Sequence, residues 1–148
     1  MKKIFLIKTF VIYFASIITV HSASSNYFNE GLKLYNQNKF DESKIFFEKD
    51  LVFNPKSEKS YLYLAKIFEE NNDQEYEEIN LRNVLLLNPK NNEAIYMLIL
   101  LKINQSNYNS AKELIEQFKL VCNSLCSKKD EIDKKFKKLD PKNAKINN

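Results

Sequence analysis

The tripeptide Asn-Pro-Lys occurs twice in this chain, at 54–56 and 88–90, so that its two prolines are 34 residues apart. The same step links positions in three successive copies: Tyr27, Tyr61 and Ile95; Gly31, Ala65 and Ile99; Ser43, Glu77 and Ala111; Phe47, Leu81 and Ile115. A fixed period of about 20–50 residues indicates one supersecondary unit repeated along the chain. The period therefore constrains the fold more strongly than any single residue does.

Composition favours helices over strands as the repeated unit. Glycine occurs only at Gly31, whereas tight β-turns usually need glycine for their positive backbone angles. Apolar residues recur at three- and four-residue steps, as in Tyr61, Leu64 and Phe68, which is typical of amphipathic helices. Each Asn-Pro pair predicts the end of a helix, because proline cannot continue the helical hydrogen-bond ladder. The sequence thus predicts stacked pairs of helices.

The pattern resembles the tetratricopeptide (TPR) repeat, whose period is also about 34 residues. In that family a small residue follows a large one in the first helix, an alanine and an aromatic lie in the second, and a proline closes the repeat. The first repeat supplies these roles at Tyr27, Gly31, Ser43, Phe47 and Pro55. The resemblance implies an all-α fold, a right-handed α-solenoid of about three helix-turn-helix hairpins with a C-terminal capping helix.

The third repeat departs from the family at its end, where Asn123 stands in place of the proline. Beyond it, Ile132, Phe136 and Leu139 recur at four- and three-residue steps within a lysine-rich segment. This spacing predicts an amphipathic helix whose single apolar stripe covers the last hairpin. Irregular terminal units are expected in repeat proteins, because the ends of the stack meet solvent.

The N-terminus has the order of segments found in secretory signal peptides. Lys2 and Lys3 precede a 12-residue apolar run at 9–20, and small residues follow at 22–24. The run is shorter than the roughly 20 residues that span a bilayer, but an uncleaved membrane anchor is the alternative. We expect export to a bacterial periplasm, with membrane contact only if the signal is uncleaved. The predicted signal peptide occupies residues 1–23, and the three repeats occupy 24–57, 58–91 and 92–123. The predicted capping helix follows at 124–140, and a frayed tail at 141–148.

Removal of the signal nearly balances the charge of the chain. It leaves 20 Lys and Arg residues against 19 Asp and Glu residues, with eight of the lysines from Lys128 onward. No concentrated basic surface with interleaved aromatics is present, so nucleic-acid binding lacks its usual footprint. We interpret the lysine-rich end as a solvated helix face, with weak attraction to anionic lipid as the alternative.

Few residues of the mature chain could support catalysis. The only histidine, His21, lies in the predicted signal, so that the mature chain lacks the commonest general acid–base group and metal ligand. Two cysteines cannot complete a zinc site, and a single glycine cannot form a phosphate-cradling loop. We interpret the carboxylates at 69–78 as solvated. The sequence predicts no enzyme, catalytic residue, cofactor, metal or specific small-molecule ligand.

Cys122 and Cys126 are the only cysteines and lie four residues apart, between the third repeat and the predicted capping helix. Disulfides persist in oxidising compartments outside the cytosol, and this spacing allows a bridge if the local backbone permits it. We expect a structural disulfide. A redox centre, free thiols and a bridge to another chain are the alternatives.

In the TPR family the first helices of the hairpins form the inner surface that binds ligands. The resemblance assigns nine residues to this predicted partner-binding groove: Phe28, Leu32, Tyr35, Leu62, Lys66, Glu69, Tyr96, Leu100 and Ile103. The carboxylate clamp of the family's cochaperones is missing at the corresponding positions. Aromatic and aliphatic side chains with few charges suit an apolar peptide or an amphipathic helix. Alternatively, some of these residues belong to the core or are covered by the protein's own tail.

Together these features predict a non-enzymatic module for protein–protein interaction. It would be an exported adaptor or scaffold that binds a peptide or helix of an envelope protein. A self-associating structural subunit of an envelope complex and a membrane-tethered form are the alternatives.

Overall fold

The computed structural model describes the backbone of residues 21–139 and the side chains of residues 26–139. Within this part the chain forms helices and no strand, and the predicted all-α fold is confirmed. The helices are α1 (His21–Tyr35), α2 (Phe40–Phe53), α3 (Glu58–Glu70), α4 (Gln74–Leu87), α5 (Asn92–Asn104), α6 (Tyr108–Val121), a 3-10 turn (Cys126–Lys128) and α7 (Lys129–Leu139). The apolar run of the predicted signal and the predicted frayed tail lie outside the described residues.

The chain divides into two compact units, and the division falls between Ser60 and Tyr61, within α3. In the first unit α1 approaches α2 closely at Gly31, where a Cβ atom would lie 2.9 Å from the ring of Phe47. The Ser43 hydroxyl, which is also buried, donates a hydrogen bond of 2.8 Å to the carbonyl of Gly31. This approach explains why the first repeat has glycine at this position.

In the second unit α5 is the central helix and contributes to two apolar clusters. The first cluster joins it to α3 and α4 through Leu62, Ala65, Leu81, Val84, Ala94, Met97, Leu98 and Leu101. The second joins it to α6 and α7 through Ile95, Ile99, Ile103, Ala111, Ile115, Phe118 and Ile132. An α-helix that is apolar nearly all round must be buried on several sides, which explains the central position of α5.

Each hairpin turns through one residue with a left-handed backbone conformation. Asn38, Asn72 and Ser106 have φ angles of 59°, 56° and 58°, and they are spaced by the 34-residue period. Asparagine adopts this conformation more readily than most residues. In the second and third hairpins the next residue, Asp73 or Asn107, caps the following helix by accepting a backbone N–H bond of 3.3 Å. Polar turns of this kind explain how the chain folds with one glycine.

The junction after the third repeat is organised by Asn92 instead of a proline. Its buried Oδ1 accepts backbone N–H bonds from Asn123 at 2.6 Å and Ser124 at 3.1 Å. Cys122 and Cys126 form a disulfide around this loop, with their Cα atoms 5.4 Å apart. The predicted intrachain bridge is therefore compatible with the local backbone.

The predicted capping helix corresponds to the 3-10 turn and α7, which packs against α5 and α6. Ile132 is buried, and the half-buried Phe136 meets the ring of Tyr108 edge-on at a centroid distance of 6.2 Å. Leu139 was expected on the same stripe, but its side chain is 43% exposed. This expectation is wrong, because Leu139 is the last helical residue and only the preceding turns of α7 contribute to the core.

Candidate functional site

In the second unit, side chains of the first helices form a connected row that α7 extends. Lys66 of α3 pairs with Glu93 of α5 at 2.7 Å between Nζ and Oε1, and its Nζ lies 4.8 Å from the centroid of the Tyr63 ring. One turn further along α5, the Tyr96 hydroxyl donates to Oε1 of Glu131 in α7 at 3.2 Å. We name this surface the first-helix face; it comprises Tyr63, Lys66, Glu69, Glu93, Tyr96, Leu100, Lys128 and Glu131.

The C-terminal end of this face is held by a triad of Tyr96, Lys128 and Glu131. Lys128 pairs with Glu131 at 2.7 Å, and its Nζ lies 5.9 Å from the centroid of the Tyr96 ring. Burial raises the pKa of the Tyr96 hydroxyl, and the negative charge of Glu131 raises it further. The hydrogen bond from Lys128 lowers the pKa of Glu131. The triad therefore keeps a neutral phenol beside an ionised carboxylate at neutral pH.

Glu69 of α3 interacts electrostatically with residues of both α3 and α5 on the first-helix face. Burial and the neighbouring Glu70 raise the pKa of Glu69, while the positive charge of Lys66 opposes this rise. The charge of Glu69 also contributes to the raised pKa of Tyr96. Among the residues of the predicted groove, Glu69 therefore interacts electrostatically with both Lys66 and Tyr96.

Two residues of the predicted groove belong to the core. Leu62 is 9% exposed and packs in the cluster of α3, α4 and α5. Ile103 is 2% exposed and shares a cluster with Ile132 of α7. Their expected exposure is wrong, because α5 is apolar on almost every side and α7 covers one of them. Leu100 is half-buried and follows Tyr96 by one turn, on the same side of α5.

The three predicted groove residues of α1 lie in the first unit. The Phe28 ring packs against Phe47 at a centroid distance of 5.7 Å, and the Tyr35 ring packs against Phe40 at 5.3 Å. Leu32 is half-buried. Both aromatic rings thus contribute to the closure of their own hairpin.

The first-helix face is more charged than the nine residues of the predicted groove, among which Lys66 and Glu69 are the charged ones. The first-helix face carries two basic and three acidic side chains: Lys66, Lys128, Glu69, Glu93 and Glu131. The prediction missed the contribution of the 3-10 turn and α7, because Lys128 and Glu131 reach the face only after the chain has turned back on α5. A useful signal was present in the sequence, since Glu131 directly precedes Ile132, the most deeply buried residue of the apolar stripe.

The interpretation of the carboxylates at 69–78 as solvated is wrong for Glu77. This residue occupies the alanine position of the second repeat and is 5% exposed. Burial, and then the charges of Glu69 and Glu78, raise its pKa to about 7. Burial also acts on Glu78, but hydrogen bonds from Lys102 and Arg82 outweigh it and lower the pKa of Glu78.

Among residues 26–139, no group of three or more His, Cys, Asp or Glu side chains is placed to hold a metal ion. In the part of the chain that is described, no helix combines the length and apolar character needed to cross a membrane.

The paired helices, their 34-residue phase and their turns define a TPR-type helical-repeat fold. A solved structure of PilF from Pseudomonas aeruginosa, a TPR-containing protein, matches 86% of this chain with a TM-score of 0.64 and 16% sequence identity. The match covers 59% of the PilF chain, and at this identity the likeness shows the fold alone. No family model and no curated protein matches the sequence.

Proposed function

We propose that the protein is a non-enzymatic interaction module that binds an amphipathic peptide or helix of another protein on the first-helix face. The observation that carries this proposal is the arrangement of Tyr63 and Tyr96, each with a lysine over its ring and a carboxylate beside that lysine. Tyrosine is enriched at protein interfaces, where its ring supplies apolar contact and its hydroxyl a hydrogen bond.

The mixed chemistry of the face favours an amphipathic partner over a wholly apolar one. Apolar partner residues would lie on Tyr63, Tyr96 and Leu100, and polar residues would meet the ion pair of Lys66 and Glu93. Helices that bind in this way place anchors on one face at three- and four-residue steps. An entirely apolar peptide would remove these ion pairs from water without replacing the hydrogen bonds that water makes to them, which costs free energy.

We also propose that the mature protein acts outside the cytosol, in the periplasm. The signal-like N-terminus and the disulfide support this location, because disulfides persist mainly in oxidising compartments. The intact mass of the protein isolated from its native membranes and periplasm tests cleavage. A mass that includes residues 1–23 would instead favour the membrane-tethered form.

Site-specific photo-cross-linking tests the binding face. A photoreactive side chain at Leu100 is expected to give a discrete adduct with another envelope protein, and the same group at the exposed Lys137 of α7 serves as the control. Tyr96→Ala should remove the Leu100 adduct while the helical circular dichroism stays unchanged. Equal adducts from both positions, or an adduct that survives Tyr96→Ala, would contradict the assignment.

A further inference from the structure

The second helices of the last two hairpins each expose a leucine at the same repeat position. Leu86 of α4 and Leu120 of α6 are 34 residues apart, and their side chains are 81% and 86% exposed. Single exposed apolar residues are ordinary features of protein surfaces. The equivalent Val52 of the first repeat is also exposed, so that the groove beside Leu86, and not the recurrence alone, marks this surface.

A groove lies between α4 and α6 beside Leu86. It consists of two adjoining cavities of about 360 and 190 Å³, and the buried Leu98 of α5 lies in both of their linings. Gln117 donates a hydrogen bond of 3.2 Å to the carbonyl of Pro89 across one end. We name this the α4–α6 groove; its lining includes Arg82, Leu85, Leu86, Leu98, Glu113 and Leu114.

Each wall of the α4–α6 groove carries one exposed charged side chain, and the two side chains have opposite signs. On α4, Arg82 pairs with Glu78 at 2.7 Å, but its side chain is 63% exposed. On α6, Glu113 is exposed and has no ion partner among the residues that the structure describes. One surface thus combines protruding leucines and an apolar recess with an exposed arginine on one wall, paired with Glu78, and an exposed glutamate on the other.

We propose that the α4–α6 groove is a homotypic interface on which a second copy of this chain docks through the same surface. In a two-fold dimer each contact occurs twice, so a surface that pairs with itself must contain both members of every complementary pair. A two-fold axis along the groove places α4 of one copy against α6 of the other. Arg82 of each copy then faces Glu113 of the other, and the exposed leucines cover the apolar recesses.

Charge complementarity is the reason to prefer a second copy over a helix from a different protein. Oppositely charged walls steer and orient two identical surfaces, and wrong registers bring like charges together. The apolar centre with a charged rim is also the usual anatomy of a protein interface. This interface is separate from the first-helix face, so that either proposal can fail without the other.

Analytical ultracentrifugation of the mature, disulfide-bonded chain at about 2–200 µM tests the proposal. We expect a reversible monomer–dimer equilibrium that weakens at least about tenfold in the double variant Leu86→Glu, Leu120→Glu. Val52→Glu is the matched control, because Val52 is the equivalent residue of the first repeat and is 77% exposed. A concentration-independent monomer, or a dimer that resists the double variant, would overturn the proposal.

A charge exchange tests the two-fold pairing itself. Arg82→Glu and Glu113→Arg should each weaken dimerisation about fivefold or more, because each places like charges opposite one another. An equimolar mixture of the two variants should form a heterodimer, since both contacts become attractive again. The circular dichroism of each variant checks its fold, and Tyr96→Ala should dimerise normally. A mixture that associates no better than the separate variants would show that the two walls do not face each other.

Discussion

The first and second hairpins use the same repeat positions for opposite chemistry. In the first, Gly31 lies against the ring of Phe47, and the Ser43 hydroxyl is satisfied by the carbonyl of Gly31. In the second, the positions of Gly31 and Ser43 are occupied by Ala65 and Glu77, and the carboxyl of Glu77 is buried with a raised pKa. At these positions the first hairpin therefore has no room for a larger side chain, whereas the second hairpin has to bury a carboxyl group.

The second hairpin also supplies a counter-charge to the third. Glu78 of α4 accepts hydrogen bonds from Arg82 and from Lys102, whose side chain is 7% exposed in the last turn of the apolar helix α5. Equivalent positions in a repeat thus determine which side chains meet, and the residue types determine what makes the contact stable. Substitutions at matched positions separate these two contributions.

The largest expected effect concerns the charge pair between Glu78 of the second hairpin and Lys102 of the third. Glu78→Ala should lower the free energy of unfolding by about 3 kcal/mol, because it leaves the buried Lys102 without its carboxylate. Urea unfolding followed by circular dichroism measures the loss. Lys102→Met should change stability by less than about 1.5 kcal/mol, and the double variant should recover most of the loss. If Glu78→Ala is as harmful in the Lys102→Met background, the charge of Lys102 is not the cause.

Filling the space at Gly31 in the first hairpin should have a smaller effect on stability. Gly31→Ala should lower the free energy of unfolding by about 1–2 kcal/mol, because the strain of overpacking against Phe47 exceeds the helix propensity gained. Adding Phe47→Leu reproduces the Ala65–Leu81 combination of the second hairpin and should reduce the loss below that of Gly31→Ala alone. Ala65→Gly is the reverse control, with an expected cost of about 1 kcal/mol. A stabilising Gly31→Ala would contradict the close approach.

Burial of the Glu77 carboxyl in the second hairpin should make the free energy of unfolding depend on pH. The pKa of Glu77 is about 7 in the folded state and 4.5 as a reference for the unfolded state. Folding therefore takes up a proton between these values, so that this residue's contribution to stability falls as pH rises from 4.5 to 7.

Glu77→Gln removes this titration and measures its size. The variant should be more stable than the parent by about 1–2 kcal/mol at pH 8, allowing for screening of the carboxylate by water. The difference should shrink as the pH is lowered to 5, and unfolding curves of both proteins at each pH give it directly. A difference that is constant between pH 5 and pH 8 would show that Glu77 titrates normally in the folded protein.

The smallest expected effect concerns the turns. Ser106 has the left-handed conformation that asparagine occupies in the first two hairpins. Ser106→Asn should raise the free energy of unfolding by about 0.5 kcal/mol, because asparagine adopts positive φ angles more readily. Asn72→Ser should lower it by a similar amount, and thermal unfolding measures both. Shifts of the same sign in the two variants would contradict this explanation.

Several elements followed directly from the sequence. The period placed the ends of α2 and α4 at the Asn-Pro pairs, and the stripe of α7 correctly predicted the burial of Ile132. The charges of the first-helix face could not be predicted in the same way. They come from α3, α5 and α7, and sequence spacing does not show which side of an apolar helix remains open.

The sequence by itself determined the class of fold, the phase of the repeats and the positions at which helices meet. Each of these depends on local periodicity and on residues such as Pro55 and Pro89, whose backbone constraints act within a few residues. Only the tertiary structure decided that Leu62 and Ile103 are core residues and that Glu77 is buried. Burial depends on contacts between residues far apart in the chain, and the same contacts shift the pKa of a carboxylate by removing it from water.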